Sequence, residues 1–157
     1  MQITLNPIGH VHSSRAEVRD DLWDAETTSI VVDGDSFTSE ALRELDSFSH
    51  VEVVYFFDQV APEKIEHGAR HPRGNTEWPL VGIFAQRGKN RPNRLGVTVC
   101  RILRVHGLTI EVEGLDAVAG TPVVDIKPYM KEFGPRGDIR QPAWASELMR
   151  EYWTSSS

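Results

Sequence analysis

The sequence predicts a mainly β fold with a few helices. Short segments in which apolar and polar residues alternate outnumber the helical segments, and the two kinds do not follow one another regularly. This order argues against a doubly wound parallel sheet. The dinucleotide-binding pattern G-x-G-x-x-G is also absent, because the glycines between residues 68 and 96 are spread too widely to form it.

The strand predictions differ in strength along the chain. Val51–Phe57 is a nearly continuous apolar run, which is typical of a strand covered on both faces. Two alternating runs flank the pair His106-Gly107 and predict a hairpin. Pro7 is expected to bend the first strand. In chain order, strands are predicted over residues 3–11, 29–32, 51–57, 80–85, 95–105, 108–113 and 123–126.

Two segments have helical periodicity. Thr38–Phe48 places Leu42 and Leu45 on one face. Pro142–Trp153 places Trp144, Leu148 and Tyr152 one turn apart, after a proline suited to a first helical position. Between them, residues 61–78 are polar and contain Gly and Pro, which predicts a long loop. Loops of this length are often functional.

Composition predicts one domain over residues 1–153 and a flexible tail over 154–157. The single Cys100 cannot form an internal disulfide, and its apolar neighbours favour a buried side chain over a nucleophile. No apolar run is long enough for a membrane span, and no signal peptide is evident. We therefore expect a cytoplasmic protein with no membrane association.

Positive charge is concentrated in the middle of the chain. Residues 64–104 contain nine Lys/Arg and two acids, a net charge of +7, whereas the remaining residues carry −13. A basic segment of this kind can attract a phosphate-bearing partner although the whole chain has a net charge of −6. The alternative is a solvated basic loop paired with acids elsewhere in the fold.

The densest motif lies between two predicted strands, at residues 86–96. It combines four cations, two asparagines and two glycines, and Pro92 restricts its backbone. Arginine offers a planar fork for phosphate or carboxylate groups, so the motif indicates an anion site. A second motif, residues 114–129, leads from a turn of small residues into a strand that carries Asp125, Lys127 and Tyr129. Small residues let a flat ligand approach the backbone, but a simple turn beside a salt bridge is equally consistent.

Together with three other segments, these motifs resemble the TsaA-like (TrmO/YaeB) family. The matching segments, in order, are P-I-G at 7–9, L-x-x-F-S-H at 45–50, H-P-R-G at 71–74, G-[IV]-F-A-x-R-x-x-x-R-P-N-x-[IL]-G at 82–96 and L-D-x-x-x-G-T-P-V-x-D-I-K-P-Y at 115–129. The resemblance covers residues 3 to about 133.

The resemblance implies an open, coiled β-barrel with peripheral helices, a homodimer, and S-adenosylmethionine bound without a Rossmann fold. It implies N6-methylation of threonylcarbamoyladenosine next to the tRNA anticodon, so tRNA is the expected partner. By motif match, the cofactor-binding positions are Asp58, Gln59, Arg87, Val97, Ala119, Gly120, Thr121 and Pro122.

Two further sets of residues are expected to act on the acceptor. Asp125 is the candidate acceptor of the N6 proton, with Tyr129 orienting it or the base; alternatively, Asp125 only pairs with Lys127 or an arginine. Four residues of the basic loop are expected to bind the RNA backbone or the threonylcarbamoyl carboxylate: Lys89, Arg91, Asn93 and Arg94. Alternatively, these four residues form a dimer interface. A metal site is not expected, since the pair His67 and His71 lacks a third ligand.

The chain also departs from the family pattern. It has Gly88-Lys89 where most members have Ser-Pro or Ser-Thr, Arg94 where they have Pro, and Ala119 where they commonly have Asp. The additional C-terminal domain frequent in the bacterial tRNA enzymes is not expected here. These departures leave three alternatives open: a methyltransferase acting on a small molecule or modified nucleotide, a non-catalytic S-adenosylmethionine-binding module, and a plain RNA-binding protein.

Overall fold

The computed structural model describes residues 1–153, so the tail predicted over 154–157 lies outside the described residues. It is built mainly from strands. These are β1 (Gly9–Ser13), β2 (Thr28–Val32), β3 (His50–Phe56), β4 (Ala69–Arg70), β5 (Val81–Gly82), β6 (Leu95–His106), β7 (Thr109–Glu113) and β8 (Pro122–Pro128).

Six of the strands form a closed antiparallel barrel in the order β1-β2-β7-β6-β3-β8. The ring closes where Gly9 of β1 pairs with Val123 of β8. The predicted mainly β barrel is thus confirmed, and this barrel is closed, whereas the resemblance implied an open one. At its centre β3 pairs with β6 on one side and with β8 on the other, so these three strands form a continuous surface.

Alternation along the strands fills the barrel with apolar side chains. In β3, Val51, Val53 and Tyr55 point inward and are at most 2% exposed, while the residues between them face outward. Cys100 of β6 belongs to the same core and is fully buried, as predicted. Its burial, and to a lesser degree nearby Asp116, raises the pKa of the thiol, so a nucleophilic role is not supported.

Between β3 and β6 the chain leaves the barrel and forms a lobe, residues 58–94, around the short β4–β5 pair. The strand predicted over residues 80–85 is therefore mostly wrong, because only Val81–Gly82 is extended and Ile83–Ala85 forms a 3-10 turn. The long loop predicted over 61–78 is present, with β4 and two 3-10 turns inside it. The first predicted strand also starts late, at Gly9, because residues 1–7 lie exposed without ladder partners.

The predicted helices are shorter than the periodicity suggested. Thr38–Phe48 forms two 3-10 turns, Ser39–Leu42 and Leu45–Ser47, separated by Glu44 in the left-handed region (φ 69°). Packing of Leu42 and Leu45 on the barrel outweighs the helical pattern. The C-terminal helix α1 covers only Ala143–Leu148. The residues after it turn back, and Trp23 donates to the Tyr152 carbonyl at 2.9 Å. Within residues 1–153, no helix has the length and apolar character needed to cross a bilayer.

Candidate functional site

The predicted cofactor positions converge on one end of the barrel. Tyr55, near the end of β3, pairs with Gly96 at the start of β6 and with Val123 at the start of β8. Asp58 and Gln59 follow the end of β3, and both are exposed. The turn at residues 119–122 leads into β8. Strand pairing therefore gathers segments that lie far apart in the sequence, from Asp58 to the turn at residues 119–122.

Arg87 joins the lobe to this end of the barrel. Its Nη2 donates to the Val97 carbonyl at 2.6 Å, so two predicted cofactor residues are in direct contact. The Val97 side chain faces outward and is 37% exposed. The guanidinium lies on the same surface with donors to spare, since one arginine has five N–H groups.

The turn at 119–122 is held against β1. The Ala119 amide donates to the Arg15 carbonyl and the Gly120 amide to the Val11 carbonyl, both at 2.8 Å. The buried hydroxyl of Thr121 donates to the Val118 carbonyl at 2.7 Å. These donors serve the turn itself, so a ligand here would contact the exposed backbone of Gly120, whose φ of +85° suits glycine.

Asp125 lies on the outer face, in the same row as Val97. Val54 of β3 pairs with Val97 on one side and with Asp125 on the other, which places the two about 10 Å apart across the sheet. The Asp125 side chain is half exposed, and its Oδ2 lies 3.1 Å from Lys127 Nζ. Its carboxylate is therefore accessible, although it is paired as the alternative interpretation expected.

Tyr129 is not brought to Asp125. Four residues along a strand span about 13 Å. The Tyr129 amide donates to the His50 carbonyl at 3.0 Å, at the opposite end of β3. The structure thus offers no contact through which Tyr129 would orient Asp125.

Two of the predicted substrate-binding arginines brace the lobe. Arg91 Nη1 donates to the Gln86 carbonyl at 2.7 Å, and Arg94 Nη1 donates to the Val60 carbonyl at 2.7 Å while its Cζ lies 4.6 Å above the Phe56 ring. Lys89 is half-buried and Asn93 is exposed. Within residues 1–153, no carboxylate lies within 4.0 Å of the cationic atoms of Arg87, Lys89, Arg91 or Arg94. These four side chains therefore carry positive charge that no salt bridge among residues 1–153 compensates.

Asp116, in the turn that follows β7, accepts hydrogen bonds from three other segments of the chain. Its Oδ1 accepts from the Tyr55 hydroxyl at 2.8 Å and from Thr98 Oγ1 at 2.5 Å, and its Oδ2 accepts from the Tyr152 hydroxyl. Burial, followed by the Asp116 charge, raises the pKa of Tyr152, which Arg87 and Arg73 oppose. One carboxylate therefore ties β3, β6 and the C-terminal segment together beside Arg87. Sequence spacing gave no signal for this contact.

Of the two histidines considered as metal ligands, His71 has a structural contact. His71 Nδ1 lies 2.8 Å from the Trp78 carbonyl, so the imidazole donates within the lobe. Among the residues that the structure describes, no three His, Cys, Asp or Glu side chains gather as a metal site would require.

Comparison with known proteins gives a consistent result. Residues 13–134 match the family described as the tRNA-methyltransferase O N-terminal domain. A protein from Pyrococcus abyssi, named a probable S-adenosyl-L-methionine-binding protein, is 30% identical over 89% of this chain and 75% of its own length. The human tRNA (adenine(37)-N6)-methyltransferase is 33% identical over 65% of this chain, but the match spans only 23% of the human protein.

Solved structures agree with the sequence matches. A crystal structure of TrmO from Pseudomonas aeruginosa superposes with a TM-score of 0.71 and 29% identity, covering 89% of this chain. The match covers 61% of the TrmO chain, so the present chain corresponds to rather less than two thirds of that protein.

Proposed function

Because the chain belongs to the tRNA-methyltransferase O N-terminal domain family, we propose that it transfers a methyl group from S-adenosylmethionine to an adenine-type nitrogen in tRNA. The observation that carries the proposal is the convergence of the predicted cofactor positions on one barrel end, beside uncompensated cations. At the level of the family, the predicted cofactor and methyltransferase class are confirmed.

The residues present fit the cofactor. Its carboxylate requires a cation, and Arg87 is an exposed guanidinium without a carboxylate partner among residues 1–153. Its adenosine requires small or apolar neighbours, which Val97 and the turn at Gly120 provide. When bound, S-adenosylmethionine supplies a methyl group activated by its own sulfonium, so the chain's residues have to position and deprotonate the acceptor.

Asp125 is the proposed acceptor of the proton, because its carboxylate is half exposed on the same face as Val97. An adenine N6 loses an N–H proton as it gains the methyl group, and an accessible carboxylate within hydrogen-bond reach can accept that proton. The Oδ2 atom of Asp125 pairs with Lys127, and its Oδ1 atom accepts a hydrogen bond from the Ile126 amide. Oδ1 has a further lone pair with which it would accept the proton of the acceptor. Alignment of acceptor and methyl group supplies the rest of the rate enhancement.

We propose threonylcarbamoyladenosine next to the tRNA anticodon as the acceptor, since it carries a carboxylate and sits in a polyanion, and Arg87, Lys89, Arg91 and Arg94 form no salt bridge with an acid of residues 1–153. A small-molecule or modified-nucleotide acceptor is the second candidate, and the altered pair Gly88-Lys89 in the basic loop favours it. A homodimer and a cytoplasmic location complete the proposal.

Transfer of labelled methyl groups tests this function. We expect incorporation into tRNA that contains threonylcarbamoyladenosine and none into the same tRNA with unmodified adenosine. Replacement Asp125→Asn should lower kcat by about 100-fold or more with little change in cofactor affinity, because it removes the proton acceptor. The control Asp46→Asn, in an exposed turn, should behave as wild type. Equal labelling of both tRNAs would refute the proposed acceptor, and labelling only of small molecules would favour the second candidate.

A further inference from the structure

Arg70, in the short strand β4, has a polar atom that the fold leaves without a partner. Its Nε is buried and makes no hydrogen bond within the part of the chain that the structure describes. An unmet N–H of a charged group is costly, because water is removed and nothing replaces it. No motif or relative used above assigns a role to this side chain.

Gly88 makes the space for the Arg70 guanidinium. A Cβ at position 88 would lie 2.6 Å from Arg70 Nη2 and 3.8 Å from Arg70 Cζ, so any larger residue would push the side chain away. The departure at position 88 from the serine expected of the family therefore has a physical consequence: it lets an arginine occupy the basic loop.

Arg91 also contacts this stretch of backbone. Its Nη1 donates to the carbonyls of Gln86 and Gly88, at 2.7 and 3.4 Å. Gln86 in turn fixes the backbone of β4 and β5, since its Nε2 donates to the Arg70 and Val81 carbonyls at 3.1 and 2.7 Å. Two guanidiniums thus lie against residues 86–88, where hydrogen bonds hold the guanidinium of Arg91 and the backbone of Arg70.

This arrangement lacks its counter-charge. Within residues 1–153, no carboxylate lies within 4.0 Å of Arg70 or Arg91. Two like charges around one loop repel each other, and burial strengthens the repulsion. An oxyanion at the outer N–H groups of the two guanidiniums would neutralise both charges, and the forked donors of arginine suit its geometry.

We propose that Arg70 and Arg91 bind an oxyanion, a carboxylate or a phosphate, carried by the methyl acceptor, and that Gly88 permits this by leaving room for Arg70. The assignment of the anion to the acceptor rests on the proposed function. Arg70 is then a determinant of acceptor specificity, distinct from the cofactor position Arg87, which contacts the barrel instead.

Calorimetric titrations can test the proposed oxyanion site with three ligands: adenosine, adenosine 5′-monophosphate and threonylcarbamoyladenosine. Each is titrated into wild type, Arg70→Lys and Gly88→Ser, with and without S-adenosylhomocysteine. Lysine keeps the charge but loses the fork, and serine displaces the guanidinium. We expect about 10- to 100-fold weaker binding of one or both anionic ligands to these variants, and equal binding of adenosine. The exposed control Arg104→Lys should match wild type.

The anionic ligand whose affinity falls in the variants identifies the group that the site binds. A fall for threonylcarbamoyladenosine indicates a carboxylate, and a fall for the monophosphate indicates a phosphate. Equal affinities of wild type and both variants for both anions would overturn the proposal. A tenfold loss of S-adenosylhomocysteine affinity in Arg70→Lys would also overturn it, by moving Arg70 to the cofactor. If wild type does not bind S-adenosylhomocysteine, the proposed function fails, while the titrations without it still report on the anion site.

Discussion

Replacing Asp116 with alanine is expected to destabilise the barrel strongly. The change removes a carboxylate that accepts from Tyr55, Thr98 and Tyr152 and leaves three hydroxyl groups without their acceptor, two of them in buried residues. The expected loss is about 3 kcal/mol in the free energy of unfolding. For a chain of this size, that corresponds to a fall of roughly 6–12 °C in Tm, measured by calorimetry or circular dichroism.

A second variant separates the contributions to this loss. Tyr152→Phe keeps the ring and removes only the hydrogen bond from the C-terminal segment. We therefore expect it to lower the free energy of unfolding by about 1 kcal/mol. The exposed control Asp46→Ala should be within about 0.5 kcal/mol of wild type. An Asp116→Ala variant that melts within 2 °C of wild type, on the order of 0.5–1 kcal/mol, would show that the carboxylate does not hold these elements together.

Arg15→Ala is expected to be at least as harmful. The Arg15 side chain is 1% exposed, its Nε donates to Glu26 at 2.9 Å, and its guanidinium stacks 3.9 Å from the Trp23 ring centre. Removing Arg15 leaves the buried Glu26 carboxylate with only the exposed Arg19, at 3.7 Å, as a cationic partner, and breaking a buried ion pair costs about 3–5 kcal/mol. The matched control is Arg43→Ala, because Arg43 pairs with Glu40 on the surface and should contribute less than about 1 kcal/mol.

The ion pair of Arg15 and Glu26 also predicts how the stability of the protein depends on pH. A hydrogen bond from Ser14, opposed by desolvation, and then the bond and charge of Arg15 lower the pKa of Glu26 below its ordinary value of 4.5. A lowered pKa means that the stabilisation is complete above the ordinary carboxyl pKa and is lost as the pH falls through the lower folded value. When urea unfolding is measured as a function of pH, the free energy of unfolding should therefore decrease less on acidification in Arg15→Ala than in wild type. Identical stability profiles for Arg15→Ala and Arg43→Ala would contradict this account.

The barrel strands were predictable because alternation records which face is buried. Val51–Phe57 and the hairpin around Gly107 were found within one residue of their observed ends. Helical periodicity was less informative. At Thr38–Phe48 the apolar residues fit a helix, but packing against a curved barrel bends the chain at Glu44. In the C-terminal segment, backbone bonds to residues 22–24 replace the helix after Leu148.

The candidate site could be predicted only where a motif named its residues. Motif matches named Arg87, Val97 and the turn at 119–122 as cofactor positions, and strand pairing brings their segments to one end of the barrel. The contacts of Asp116 with Tyr152 and of Arg15 with Glu26 join positions whose spacing follows no local period. The fit of Arg70 over Gly88 likewise depends on how the lobe folds, which no pattern within either segment encodes.

The central claim is that this end of the barrel binds the cofactor, and calorimetric titration with S-adenosylmethionine and S-adenosylhomocysteine tests it most directly. We expect micromolar binding of both ligands to wild type. Binding to Arg87→Ala should be about 10- to 100-fold weaker, and binding to the exposed control Arg104→Ala unchanged. Absence of binding to wild type at millimolar ligand, or equal binding to wild type and Arg87→Ala, would contradict the account.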